Sequence, residues 1–165
     1  MRKIAVILLR SELIYDIALV AHVVGETIRS EDEGDRSIVM DVADDGKVDK
    51  TTLNINKAWC DLINETTGYT KVAVDDDMAS DNSFIAPKEY VVVLTVPESF
   101  TKLNVEAIKN AMHAYVVNKA LEGWFSMTKK DEVAYYANEA RMELAKVKRF
   151  LNMRIRPTRI RLSPF

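Results

Sequence analysis

Apolar side chains change their spacing several times along this chain, and each change marks an element. Ile4 to Leu9 is an unbroken apolar run, short enough for a strand and apolar on both faces, as in a strand covered on two sides. From Leu13 the spacing opens to three and four residues, through Ile17, Val20, Val24 and Ile28. That predicts an amphipathic helix over 12–29, with Ser11 as its N-cap and Gly25 weakening its last turn. Residues 30–50 show no sustained period and read mostly as loop, with room for a short strand from Ile38 to Val42.

A second helix is predicted over 52–67, where Ile55, Trp59, Leu62, Ile63 and Thr66 share a face and Gly68 stands where a left-handed cap would. Residues 69–87 read as an extended connection in which Val72 and Val74 allow a brief strand, and Ala86-Pro87 opposes helix. Glu89 to Val96, with Val91, Val92, Val93 and Val96, carries the β-branched residues of a strand that Pro97 ends.

The next helix is capped by Asn104 and runs through Val105, Ile108, Met112, Val116 and Ala120 to Trp124, with a break over 123–128. Thr128 and Asp131 have the spacing of a capping box, and Val133, Ala137, Ala140, Leu144, Val147 and Leu151 then alternate steps of four and three. Two long helices with so short a break fold back on each other, because each has a stripe to bury. Arg156-Pro157 stops helix beyond Asn152.

The fold class is therefore α+β and mainly helical: a C-terminal antiparallel αα-hairpin, N-terminal helices and a small β-sheet in one domain over 1–153, followed by an extended basic C-terminal arm over 154–165. The chain's 165 residues with 48% hydrophobic content suffice for one core. The run Ile4–Leu9 is too short for a signal-peptide core or a membrane span, which implies synthesis in the cytoplasm and no membrane partner. Cys60 is the only cysteine, so no disulfide forms within one chain, and it reads as a buried packing residue.

Charge changes the picture more than its total of −2 suggests. Between Glu31 and Asp49 eight acids face only Arg36 and Lys47, whereas from Arg141 to Arg161 eight bases face only Glu143. Asp41, Asp45, Gly46, Val48 and Asp49 fall at five positions of an EF-hand-like loop, but Ala43 and Thr52 replace two needed oxygen ligands. The segment reads as a solvated acidic turn, and Asp41, Asp44, Asp45 and Asp49 as a subunit contact. Asp75, Asp76 and Asp77 read as solvated for want of distant ligands to close a shell. His22 and His113 lack zinc-pair spacing, and no metal or other cofactor is expected.

No phosphate loop, nucleophile elbow or cysteine with a recognisable base is present, so no catalytic residue is assigned; an enzyme would need Asp61, Glu65 or Glu122 to be clustered by the fold. Tyr135, Tyr136, Phe150 and Trp124 beside the bases of the last helix form a possible platform for DNA or RNA, against the plainer reading of core aromatics beneath a solvated basic face. In the arm, Arg154, Arg156, Arg159 and Arg161 alternate with Ile155, Pro157, Ile160 and Leu162 before Pro164-Phe165. The pattern suits a segment that orders on another subunit, with Arg154, Arg156, Arg159, Ile160, Arg161, Leu162 and Phe165 as the contact residues. A basic end without a partner is the competing reading.

From Val105 to Phe165, the hairpin, the Tyr135-Tyr136 pair, Phe150-Leu151 and the run Arg154-Ile155-Arg156-Pro157-Thr158-Arg159 resemble the head-to-tail connector, or adaptor, proteins of tailed-bacteriophage necks, including those of crAss-like phages. The resemblance implies a homo-oligomeric ring, commonly twelve-fold, stacked beneath the portal protein, which the C-terminal arm reaches. It also implies neighbouring neck or tail proteins, a lumen through which DNA passes without base readout, and a place in the virion neck after assembly in the host cytoplasm.

Overall fold

The computed structural model describes residues 2–28, 33–69, 82–96, 100 and 103–153. The first apolar run becomes strand β1 (Arg2–Leu9), paired antiparallel with β2 (Glu89–Val96), from Arg2 opposite Val96 to Leu9 opposite Glu89. The Arg10 amide donates to the Lys88 carbonyl at 3.0 Å, which carries the pairing one step further. β1 is covered on one side only: Val6 and Leu8 are 2% exposed, whereas Ile7 and Leu9 are each 47% exposed. Side chains alternate across a strand, and the helices lie against a single face.

Helix α1 (Arg10–Glu26) follows β1 directly. Leu9 holds the N-cap position without a side-chain bond, so Ser11 lies inside the first turn. The helix ends three residues before the expected limit, where Thr27 Oγ1 donates to the Val24 carbonyl at 2.6 Å. Its buried face is Leu13, Ile17, Ala21, Val24 and Gly25, while Val20 and Ile28 are only partly covered. Gly25 is a close-contact point: a methyl group there would collide with Met40 Cγ and come 3.1 Å from its Sδ.

The expected loop over 30–50 is corrected by helix α2 (Glu33–Met40) and a 3-10 turn over Asp41–Ala43, and no strand forms from Ile38 to Val42. Only Val39 and Val42 are buried here, too few to make a readable period among the acids. The helix is held instead by packing on α1, with Glu33 and Asp35 favourably placed in its first turn. Helix α3 (Val48–Glu65) starts four residues earlier than expected. Its extra first turn is fixed by Thr51 Oγ1, which donates to the Val42 carbonyl at 2.7 Å. Gly68 does not adopt a left-handed cap; it sits in a 3-10 turn over Thr67–Tyr69.

Helices α4 (Leu103–Thr128) and α5 (Lys130–Asn152) form the antiparallel hairpin. Asn104 lies in the first turn of α4 rather than before it. The anticipated break over 123–128 stays helical because Trp124 and Phe125 are both buried, and only Lys129 separates the two helices. Thr128 Oγ1 turns back to the Trp124 carbonyl at 3.1 Å, so no capping box with Asp131 forms. α4 is the central element, packing against α5, α3, α1 and β1. On α5, Tyr136, Ala140, Val147 and Leu151 are buried and Val133 and Leu144 partly so, close to the expected seam. The expected strand at Val72 and Val74 and the arm over 154–165 lie outside the described residues.

Candidate assembly surfaces

The acidic corner is built by the 3-10 turn and the start of α3. Asp41 accepts from Lys47 Nζ at 2.9 Å and from Ser37 Oγ at 3.2 Å. The Lys47 hydrogen bond is the main reason that the Asp41 carboxyl is held below its ordinary value, against a smaller opposing effect of burial. Asp44, Asp45 and Asp49 point to solvent, and Asp49 stands in the first turn of α3, where the helix dipole favours its charge. The EF-hand-like positions are divided between a 3-10 turn and a helix that has begun by Val48, so they do not wrap a common centre. Among the described residues, no group of three or more His, Cys, Asp or Glu could hold a metal ion.

This corner lies at the turn of the hairpin. Trp124 Nε1 donates to the Val39 carbonyl at 3.1 Å, and Lys129 Nζ to Thr27 Oγ1 at 3.4 Å, which fix α2 and the end of α1 there. The other end of α5 is tied elsewhere: Lys148 Nζ donates to Glu65 at 2.6 Å, and the Tyr69 hydroxyl to Asn152 Oδ1 at 2.5 Å. The 23 residues of α5 span about 35 Å, so the acidic corner and the point where the chain enters residues 154–165 stand at opposite ends of the body. Arg154, Arg156, Arg159, Ile160, Arg161, Leu162 and Phe165 lie outside the described residues.

The chain matches no family model, no curated protein and no solved structure. What its surfaces can do rests on their own chemistry.

The aromatic residues considered for nucleic-acid stacking are mostly internal. Trp124 is buried, and Tyr136 packs on Phe125 with ring centroids 5.1 Å apart; burial pushes the Tyr136 phenol up to about 12. Tyr135 alone of this group is well exposed, set edge-on to Tyr136. The Tyr115 phenol is pushed up to about 12, by burial first and next by the charges of Asp61, Glu65 and Glu122. Glu65 is paired with Lys148 across helices, and Glu122 with Lys119 one turn earlier on α4 itself. His113 Nε2 lies 2.7 Å from Asp16 Oδ2 and joins α4 to α1, a pairing hidden in sequence by 97 residues of separation. His22 lies 3.4 Å from Glu26 on the surface of α1.

Two apolar surfaces escaped the sequence pattern. Ile7, Leu9, Val91 and Val93 make an open face on the sheet, and beside it a cleft of about 340 Å³ is lined by Trp59, Ile85, Pro87, Tyr90 and Val91. Cys60, expected to be buried, is exposed on the rim of this cleft. On α1, Tyr15, Leu19 and Val23 are each more than half exposed. Period-based reading assigns one apolar stripe per helix, and a second stripe shows only when the neighbours are known. Among the described residues, no helix is long and apolar enough to cross a membrane.

Proposed function

We propose that the chain is a structural assembly protein of a tailed-phage neck, forming a homo-oligomeric ring that joins the portal to the tail and lets DNA pass, with no catalytic centre of its own. The observation that carries the assembly reading is the separation of charge by the length of the hairpin. An acidic corner at one end and a basic arm entering at the other favour contacts between unlike surfaces, the kind that close into rings. The open sheet face supports it further, since apolar patches of this sort mark interaction sites. The phage-neck assignment rests on the resemblance of residues 105–165 described above.

In this reading Arg154, Arg156, Arg159 and Arg161, with Ile160, Leu162 and Phe165, hold the portal or an adjacent subunit, and Asp44, Asp45 and Asp49 form a contact between copies. Removal of residues 154–165 is expected to leave helicity and melting of the body unchanged while abolishing ring formation and portal binding. Native mass measurement and electron microscopy, on the chain alone and mixed with a candidate portal, read the outcome. Unaltered assembly by the truncated chain overturns the role of the arm.

A second reading, a small DNA- or RNA-binding protein, is favoured by Tyr135, Arg141 and Arg149, which are all exposed on α5. It requires binding that weakens steeply with salt, because phosphate contacts release counterions. Absence of binding at low salt removes it.

A further inference from the structure

We infer that the cleft between α3 and β2 is the receptor for the C-terminal arm of a neighbouring copy, which adds along the free edge of β2 and sets Ile160, Leu162 and Phe165 into the cleft. The inference rests on the ring reading and names the place where one copy holds the next. The cleft, about 340 Å³, takes Trp59 from α3 and Ile85, Pro87, Tyr90 and Val91 from β2 and the segment before it, and no residue from β1. It therefore opens on the edge of β2 turned away from β1, where β2 has no strand partner among the described residues. Such an edge presents main-chain donors and acceptors to an extended segment, and the aromatic wall gives its side chains an anchor.

The arm has the pattern this receptor needs. Arg159, Arg161 and Ser163 alternate with Ile160, Leu162 and Pro164, the period of two by which a strand turns one side to a surface and the other to water. Glu89 is the one charged residue in the cleft wall, whereas residues 154–165 hold four arginines and no acid. Lys57, Asp61 and Lys88 adjoin the wall in sequence without lining it, so apolar contact carries the docking and Glu89 offers an arginine a single ion pair.

Chain direction makes the arm a link between copies. α3 and α5 run the same way: α2 and the 3-10 turn hold their starts near the turn of the hairpin, and Lys148–Glu65 joins their ends. The α3 side of the cleft, Asn56 to Cys60, lies about 8–14 Å back from Glu65, so an arm leaving Asn152 must reverse to enter its own cleft. Residues 153–165 contain no Gly, Asn or Asp, the residues best suited to tight reversals, and Arg156 precedes a proline, which favours extension. Continued outward, the twelve residues 154–165 reach about 40 Å, more than the length of α5 and enough to meet a cleft on an adjoining copy. Each copy then offers one arm and one cleft, unlike surfaces that propagate from copy to copy and close into a ring.

The test uses native Cys60, exposed on the rim of the cleft, as one half of a disulfide trap in the full chain. Arg161→Cys or Ser163→Cys supplies the other half and leaves Ile160, Leu162 and Phe165 in place. Circular dichroism melts verify the fold, and native mass measurement of the unlinked parent, up to its solubility limit, gives the assembly state. Under mild oxidation at least one of the two variants is expected to give a ladder of linked species, which Cys60→Ser abolishes and Val91→Arg, a charge in the apolar wall, suppresses. A ladder that persists without Cys60 overturns the cleft as the receptor, and so does one that Val91→Arg leaves unchanged. Loss of both thiols in a species of monomer mass places the arm in its own cleft and overturns the contact between copies. An oligomeric parent that gives no link in either variant overturns the contact and leaves the ring. A chain that stays monomeric and unlinked throughout overturns both.

Discussion

The indole of Trp124 on α4 donates from Nε1 to the carbonyl of Val39 on α2, at 3.1 Å in a buried position. This bond anchors α2, beside the acidic corner, to the central helix through an indole that is itself buried in the core. Trp124→Phe keeps much of the ring packing but leaves the Val39 carbonyl without its donor. A buried acceptor stripped of its partner costs ~1–3 kcal/mol, plus some loss of packing from the smaller ring. Denaturant unfolding should show at least that loss, and an unchanged midpoint would mean that the bond contributes nothing.

Gly25 and Met40 make a close contact of the same corner. Alanine at Gly25 gains ~1 kcal/mol in helix propensity, but overpacking against Met40 costs ~1–3 kcal/mol, so a net destabilisation is expected. The double variant Gly25→Ala with Met40→Ala should recover part of the difference between Gly25→Ala and the parent, since the methyl then occupies vacated space. Additive losses in this double-mutant cycle would show that the two positions do not interact.

Alternation along β1 predicts a contrast between neighbours. Leu8→Ala should cost ~2–5 kcal/mol as a fully buried deletion, and Ile7→Ala less than half as much, because Ile7 already meets solvent on the open face. Equal losses measured by thermal or denaturant unfolding of the isolated chain would mean that the outer face is covered even without a partner.

Alkaline stability follows from three of the six tyrosines. The phenols of Tyr90, Tyr115 and Tyr136 are each pushed up from 10.0 to about 12, chiefly by burial. A phenol with a raised folded value keeps its proton while the unfolded chain gives it up. Stability is therefore fully present below about pH 10 and falls as pH rises from there toward about 12. Loss of helical circular dichroism and ionisation of Tyr90, Tyr115 and Tyr136, followed by tyrosinate absorbance, should fall in one cooperative step. Titration of these three phenols with the helices intact would contradict the burial.

The end-to-end polarity of the surface was half legible. The acids of Asp41, Asp44, Asp45 and Asp49 and the bases after Arg141 are plain in the one-dimensional pattern, but only the bonds Trp124–Val39 and Tyr69–Asn152 place the acidic corner and the end of α5 at opposite ends of one body. The Asp16–His113 and Glu65–Lys148 pairs were hidden for the same reason: their partners are brought together from different helices.

What the sequence determined alone was the set of elements whose apolar residues repeat with a strong local period. The hairpin seam from Val133 to Leu151, the face of α3 around Ile55 and Leu62, and the β-branched strand at Val91 to Val96 need no distant information to be recognised, because helix and strand periodicities are local properties. Tertiary structure alone decided the rest. α2 exists because α1 has a glycine against which it can lie, and the break foreseen near Gly123 vanished because Trp124 and Phe125 gain more from burial in a continuous helix. β1 is open on one face because a single layer of helices lies on its two-stranded sheet. Which of two apolar stripes on α1 turns inward is likewise a question about neighbours, and local spacing carries no term for them.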